Sequence, residues 1–384
     1  MRGFYEFFAG GGMARAGLGL GWTCLFANDF DARKSAAYRL NWVGGELKTG
    51  DVAALQLSDL PKQRANLAWA SFPCQDLSLA GAGAGLKGAR SGTFYPFWAL
   101  IEGLIGQSRA PDLIVLENVN GALTSHGGSD FAALCAHLHN GGYRFGAMIV
   151  DAVHFLPQSR PRLFVVGVRS GWETPPETQL DLESGAASIW HPPALRNAYA
   201  SLPSHIQESW VWWTLPPPES RRVVLADLLE DDSLVAWRTQ AETQGLLAMM
   251  SENNLLKVER ARRAGRRIAG CVYRRTRTGA LGVRLQRAEV RFDGLSGCLR
   301  TPAGGSSRQL ILIVDGLSVK SRLISARETA RLMGLPDAYL LPQNYNEAYH
   351  LTGDGVVVPV VRHLAEHLLE PILAHHDAAT VVAA

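Results

Sequence analysis

Leu67-Ala68-Trp69-Ala70-Ser71-Phe72-Pro73-Cys74-Gln75-Asp76-Leu77-Ser78 passes from a short apolar run, through a proline, to a thiol. The apolar residues read as a buried strand, and Pro73 removes a ladder donor and ends the pairing at the strand's carboxyl edge. That leaves Cys74 on a loop. In an open α/β sheet the loops outside the carboxyl ends of the strands are where ligands bind, so a thiol there is placed for chemistry. Most free cysteines are small buried hydrophobes. Pro73, Gln75 and Ser78, and the motifs on either side, favour the chemical reading here.

Upstream, Phe4 to Ala9 is an aromatic-rich apolar run, followed by Gly10-Gly11-Gly12 and a helical pattern at Met13-Ala14-Arg15-Ala16-Gly17-Leu18. This is a strand, a glycine turn and a helix, in which the backbone can approach a ligand closely. A second strand, Thr23 to Ala27, ends at Asn28-Asp29. A carboxylate at that tip is placed to accept hydrogen bonds from a ribose diol, an exposed loop Asp being the plain alternative. Asp51 marks another acidic strand end, suited to an adenine amino group or to capping the next helix.

Downstream, Ala80-Gly81-Ala82-Gly83-Ala84-Gly85-Leu86 reads as a loop that closes over a substrate. Asp112 to Leu116 is a buried strand that delivers Glu117-Asn118-Val119 to the same edge as Cys74. Phe145 to Val150 and Leu163 to Val168 form an antiparallel pair around a turn holding Gln158, Arg160 and Arg162. Their i, i+2, i+4 spacing puts all three on one face if that segment is extended, converging on an anion or a polar ring edge; the plain alternative is a solvated basic edge.

The chain has 384 residues, 47% of them hydrophobic, with a net charge of +3. That suits a globular protein of two domains or one domain with an insertion. No apolar run approaches the roughly 20 residues of a membrane span, and the N-terminus lacks a signal peptide's pattern, so no membrane role and a cytoplasmic location are expected. Cys24, Cys74, Cys135, Cys271 and Cys298 include no CxxC pair, which disfavours a disulfide framework and a zinc site. His363, Glu366 and His367 lack the HExxH arrangement and read as surface or packing residues. No metal is expected.

Composition shifts near Gly171 to a stretch rich in Pro, Ser and Trp, where a domain boundary is placed. Leu234 to Met250 reads as an amphipathic helix, and from Lys257 to Asp293 basic residues far outnumber Glu259, Glu289 and Asp293. Such a cluster is an electrostatic footprint for a phosphate backbone, although a solvated helix face would look similar. A strand at Leu310 to Val314, a short helix over the Arg327 to Asp337 block, and a last helix opened by Thr352 to Val360 complete the chain.

Taken in order, Phe8-Ala9-Gly10-Gly11-Gly12, Asp29, Asp51, Phe72-Pro73-Cys74-Gln75, Glu117-Asn118-Val119, Gln158-Ser159-Arg160-Pro161-Arg162, Arg327 to Asp337 and Gly353 to Val356 resemble the cytosine-C5 DNA methyltransferase family of bacterial and phage type. The order of the blocks carries the resemblance, since any one could occur by chance. It implies an α/β fold of the S-adenosylmethionine-dependent methyltransferase type: a Rossmann-like, doubly wound, mostly parallel sheet with a smaller inserted target-recognition domain. Residues 1–180 plus 345–384 are expected to form the catalytic, cofactor-binding domain. Residues 181–344, including Arg300 and the Arg327–Asp337 block, are expected to form the DNA-binding domain.

The resemblance also implies residue roles. Cys74 adds to C6 of a flipped-out cytosine, Glu117 holds N3 and the exocyclic amine, and Arg162, with Arg160 behind it, binds the O2 edge. S-adenosyl-L-methionine lies across the first turn, with Phe8 against adenine, Asp29 on the ribose and Asp51 on the adenine amino group. Ala9, Gly10, Gly12, Phe30, Val52, Pro73, Asp354 and Val356 complete that site. Double-stranded DNA is met by Gln75, Ser78, Gln158, Arg274, Arg275, Arg277 and Arg300. Asp354 stands where the family usually has Asn, close to the expected methionine moiety, and Ser71 replaces a common Gly. The implied setting is a restriction-modification system, with a cognate restriction endonuclease acting independently, or an orphan or prophage enzyme. The protein is expected to act as a monomer, associated with the nucleoid when bound to DNA.

Competing readings are a tRNA cytosine methyltransferase with the same blocks and a catalytically silent DNA-binding homologue. A nicotinamide-dependent oxidoreductase leaves Phe72 to Gln75 and Gln158 to Arg162 unexplained, and an amino methyltransferase lacks its Asp/Asn-Pro-Pro-aromatic motif here.

Overall fold

The computed structural model describes residues 1–73, 93–181, 188–278, 284–300 and 308–383. In chain order the elements are β1 (Arg2–Phe7), α1 (Met13–Leu18), β2 (Trp22–Asp29), α2 (Ala32–Asn41), β3 (Leu47–Thr49), β4 (Leu67–Ala70), α3 (Phe94–Gly106), β5 (Leu113–Val119), α4 (Ser129–Asn140), β6 (Tyr143–Asp151), β7 (Pro161–Arg169), α5 (Pro193–Ala200) and α6 (Ser204–Gln207). There follow α7 (Gln240–Ala248), α8 (Glu252–Arg263), β8 (Ile268–Thr278), β9 (Arg284–Arg291), β10 (Leu310–Asp315), β11 (Ser318–Leu323), α9 (Ala326–Leu332) and α10 (Tyr345–Asp354). The chain ends with α11 (Val358–Leu364), a π-helical turn at Ala365–Leu369, and α12 (Glu370–Ala383).

Two compact units result. The first comprises residues 1–151, 161–218 and 356–384, and the second 152–160 and 219–355. The first is built on a seven-stranded sheet in the order β3-β2-β1-β4-β5-β7-β6. Its strands run parallel from β3 to β5, and β7 is antiparallel to both β5 and β6. Leu113-Ile114-Val115-Leu116 is buried throughout, as a strand covered on both faces requires. On α3, Phe94, Phe97, Trp98, Ile101 and Leu104 recur at helical spacing and fill the core with Phe7, Phe26 and Leu116.

Residues 188–218 lie in the first unit, whereas the composition shift at Gly171 assigns them to the second domain. Their backbone pairs with an edge strand: Phe145 N–H donates to Ser209 O (2.8 Å), Val211 N–H to Phe145 O (2.7 Å) and Ile149 N–H to Trp190 O (2.8 Å). An edge covered in this way is closed to further pairing. The last helices also belong to this unit, as Gly17 lets α1 pack directly on Val358 and Val361 of α11.

The second unit carries a four-stranded antiparallel sheet in the order β11-β10-β8-β9. Val272, Val290, Leu310, Leu312 and Val314 pack there with Leu246 and Leu247 of α7 and Val258 of α8. The expected helix over Leu234–Met250 is shorter: Thr239 accepts from Glu242 N–H in a capping box and starts α7 at Gln240. The block at Gly353 does not open the last helix. It closes α10, and the next helix starts after Val357, with Pro359 in its first turn. Among the described residues no helix is long and apolar enough to cross a membrane.

Candidate active site

β1 ends at Phe7, and the chain turns through Phe8, Gly10 and Gly12 with φ of +59°, +57° and +76°. A left-handed backbone costs glycine nothing, but it strains a phenylalanine, and such strain persists only where the surroundings over-determine it. The end of β2 does so here through two residues. Ala9 N–H donates to Asn28 O (2.9 Å), and Gly10 N–H donates to Asp29 Oδ2 (2.7 Å). Asp29 Oδ1 accepts from Asp31 N–H (2.8 Å), and burial raises the pKa of this carboxyl above the usual Asp range. Asp29, expected on a ribose, thus also shapes the glycine turn.

Around this turn stand groups open to a ligand. Phe30 is 75% exposed, far beyond what packing requires of an aromatic ring. Asp51 is exposed and caps the short helix at Val52–Ala54 by accepting from Ala53 N–H (2.9 Å), while Val52 is buried beneath. Asn28 Nδ2 donates to Lys48 O (2.9 Å) and Gly50 O (3.0 Å), tying the loop that carries Asp51 to the end of β2. A Cβ on Gly10 would meet no atom within 4 Å, so the turn has room for a ligand beside it. These residues fit an adenosine: an aromatic face, two carboxylates and a glycine cradle.

One acidic residue here escaped sequence reasoning. Glu6 lies in the middle of β1, 1% exposed, with Oε1 accepting from Arg15 N–H (3.3 Å). Burial pushes its carboxyl up to about 8. The available signal was a lone carboxylate within the apolar run Phe4-Tyr5-Glu6-Phe7-Phe8.

Of the catalytic candidates, Glu117 and Arg162 meet where the end of β5 lies beside the start of β7, next to the residues that follow β4. Phe72 is buried against Phe94, ring centroids 5.4 Å apart, and its carbonyl accepts from Asn118 Nδ2 (3.2 Å). The backbone entering Pro73 is therefore fastened to the residue after Glu117. Cys74, Gln75 and Ser78 lie outside the described residues. Glu117 is within β5 rather than past its end, because β7 pairs with the strand as far as Val119. The antiparallel direction of β7 brings its first residues to that carboxyl edge, and Arg162 Nε lies 3.3 Å from Glu117 Oε1.

Gln158 and Arg160 do not join this pair on one extended face. Both are buried within the second unit, because β7 starts only at Pro161. Arg160 donates to Leu299 O (3.0 Å), Gly353 O (2.9 Å) and Gly355 O (2.7 Å), with Cys298 Sγ at 3.4 Å. Gln158, expected at the DNA, donates from Nε2 to Leu332 O (2.7 Å) and accepts from Leu299 N–H (3.3 Å). In the same unit Asp354 is the exposed last residue of α10; Val356, in the first unit, is buried.

Of the basic residues expected at DNA, Arg274 and Arg275 lie on β8 and Arg300 is exposed between β9 and β10; Arg277 is on β8 opposite Leu285. Arg274 has its pKa held below the usual value by partial burial and then by the nearby Arg238 and Arg308. Arg275 Nε lies 3.5 Å from Glu289 Oε2. Several neighbours are paired: Arg262 and Arg263 with Glu259, Arg291 with Asp293, and Arg267 through two donors with Asp232 (2.7 and 3.0 Å). Arg284 and Arg287 stand exposed on β9.

Residues 3–370 match the family model described as C-5 cytosine-specific DNA methylase. The chain is 25% identical over 376 residues to the Type II methyltransferase M.NlaX of Neisseria lactamica, covering 97% of each. It is 22% identical to the Type II methyltransferase M.HhaI of Haemophilus parahaemolyticus, covering 95% of this chain and 93% of that one. Among solved structures, S. pombe Dnmt2 methyltransferase shares the fold at a TM-score of 0.58 and 20% identity, over 97% of this chain and 99% of that one. A putative DNA modification methyltransferase encoded within an Escherichia coli prophage does so at 0.55 and 15%, over 98% and 100%.

Proposed function

The chain belongs to the C-5 cytosine-specific DNA methylase family and is a DNA cytosine-5-methyltransferase, and from that premise we propose a division of labour among its residues. Cys74 is the nucleophile, Glu117 and Arg162 hold the ring, and the turn from Phe8 to Gly12, with Asp29, Phe30 and Asp51, holds the methyl donor. The family implies S-adenosylmethionine, which supplies an electrophilic methyl when bound.

Carbon 5 of cytosine is a poor nucleophile. The Cys74 thiolate adds to C6, and the displaced ring electrons make C5 a carbon able to accept a methyl group. Glu117 hydrogen-bonds N3 and the exocyclic amine, stabilising the density that accumulates on the ring and rejecting thymine, which lacks that amine. Arg162 keeps the Glu117 carboxyl oriented and binds the O2 edge. Loss of the C5 proton then lets the C6–S bond break and returns Cys74. Because these atoms are inaccessible within a stacked duplex, the cytosine is taken out of the helix.

The observation that carries this reading is the Glu117–Arg162 pair at 3.3 Å, placed next to the Asn118 tether on the residues that lead into Cys74. We assign the first unit to catalysis and the second to target recognition, with Arg274, Arg275, Arg277 and Arg300 on phosphates or base edges. Gln75 and Ser78 are assigned to the DNA beside the flipped base. The protein acts as a monomer on double-stranded DNA in the cytoplasm, within a restriction-modification system or as an orphan or prophage enzyme.

Bisulfite sequencing of plasmid DNA from cells expressing the wild-type chain and Cys74→Ala tests the reading. Protected cytosines in one short sequence context, lost in the variant, are expected. Folded protein that binds S-adenosylmethionine but protects no cytosine would turn the reading toward tRNA or a silent homologue.

A further inference from the structure

The glycine turn is held on two sides, and the second is a side chain that its own segment does not supply. Trp42 follows α2, and its indole N–H donates to Gly11 O at 3.0 Å. Gly12 has φ +76°, and a Cβ there would strike Trp42 Nε1 and come within 2.7 Å of its Cδ1. The indole and the turn are therefore fitted so closely that only glycine is accommodated between them. Arg15, from the helix that follows the turn, lies over the Trp42 ring with its Cζ 4.7 Å from the centroid. It donates to Tyr38 Oη (2.8 Å) and pairs with Glu46, whose carbonyl accepts from Ala27 N–H of β2 (2.9 Å). The indole is thus clamped between the turn and a cation that is itself anchored to the sheet.

Glycines have many accessible conformations, and nothing in the chemistry of Gly10-Gly11-Gly12 selects one. Asp29 fixes Gly10 through its N–H, and Trp42 fixes Gly11 through its carbonyl. A turn ordered before the ligand arrives loses less freedom on binding, and the difference appears as affinity. The turn is open at Gly10 and braced at Gly12, so the brace leaves the ligand's approach clear.

We propose that Trp42 is a positioning residue for S-adenosylmethionine, its indole N–H selecting the turn conformation on which the cofactor binds. This rests on the reading that the cofactor lies across that turn.

The test is calorimetric binding of S-adenosylhomocysteine to the full chain, with ligand-free thermal melting and cofactor-free DNA binding as companion measurements. Trp42→Phe keeps an aromatic ring beneath Arg15 and removes the N–H together with the five-membered ring that carries it. It should weaken binding about tenfold, the factor that corresponds to about 1.4 kcal/mol for one lost hydrogen bond, with the ligand-free melting temperature held. Trp42→Leu, which also removes the ring, should weaken it further, and in turnover the KM for S-adenosylmethionine should rise more than kcat falls. Unchanged binding in folded Trp42→Phe, or a loss matched by a fall in the ligand-free melting temperature, overturns the proposal. Asp51→Ala separates the two ideas. If it weakens binding while Trp42→Phe does not, only the role of Trp42 fails; if neither variant weakens binding, the placement of the cofactor on the turn fails with it.

Discussion

Glu117 and Arg162 face one another across antiparallel strands, Oε1 to Nε 3.3 Å apart, with Arg162 16% and Glu117 8% exposed at the side chain. In a wholly parallel sheet the start of the neighbouring strand would lie at the opposite edge. The single reversed strand β7 is what brings a guanidinium to the carboxyl edge of β5. Glu117→Gln keeps the shape but removes the carboxyl, and Arg162→Ala removes its partner. Each should lower single-turnover methyl transfer by about a hundredfold to ten-thousandfold, with DNA binding retained. A loss of only a few fold in either variant would remove that residue from the chemistry.

Glu6 makes stability depend on pH. Its folded carboxyl titrates near 8 against an ordinary value of 4.5, so the folded state holds a proton that the unfolded state has released across that window. The sign follows: this group's contribution is full below about 4.5 and is lost as pH rises toward 8, with a limiting slope of about 1.4 kcal/mol per pH unit. Chemical denaturation at pH 6, 7 and 8 should show wild-type stability falling more steeply than that of Glu6→Gln. Parallel curves would mean that Glu6 is not the group titrating.

Two glycine-to-alanine substitutions should act in opposite directions. At Gly245, inside α7, a Cβ meets nothing within 4 Å, so Gly245→Ala should stabilise by up to about 1 kcal/mol through helix propensity. At Gly17 a Cβ would lie 2.7 Å from the carbonyl of Val358 and collide with Val361, so the same propensity gain is outweighed and Gly17→Ala should destabilise by roughly 1–2 kcal/mol. Thermal melts of both variants decide it, and a stabilised Gly17→Ala would mean that α11 does not pack there.

The exposed and the paired arginines of the second unit should separate in salt titrations of DNA binding. Neutralising Arg284 and Arg287 together should reduce the slope of log K against log salt by about 0.9 for each phosphate they would otherwise neutralise. Arg267→Gln should leave the slope unchanged, because both terminal nitrogens of Arg267 already engage Asp232. An equal effect in the two variants would place Arg267, and not only β9, against DNA.

Much of the first unit is legible along the chain because parallel strands are short, apolar and buried, and their ends are marked by residues that cannot continue them. Pro73 and the glycines after Phe8 are such marks and sit where they were expected, whereas Glu117, expected just past the strand, lies within β5 because β7 pairs with it as far as Val119. What was not legible depends on partners far away. The acceptors of Arg160 lie 139 to 195 residues along, so nothing nearby distinguishes a buried brace from a basic strand edge. β8 and β9 are equally hidden, since Arg274-Arg275-Thr276-Arg277 shows no apolar alternation to declare a strand. Trp42 passes unnoticed because its role is to touch the glycine turn, and a turn has no pattern that names its neighbours.

The brace of Gln158 and Arg160 reads main chain almost throughout: amide and carbonyl groups of Leu299, Leu332, Gly353 and Gly355. Every residue type offers the carbonyl, and every one but proline offers the amide N–H. The side chains of β8 and β9 can therefore be exchanged for others without altering what Gln158 and Arg160 grip. The fastening is indifferent to which side chains stand at the positions it grips, so the fold of this unit constrains its surface residues little at those points.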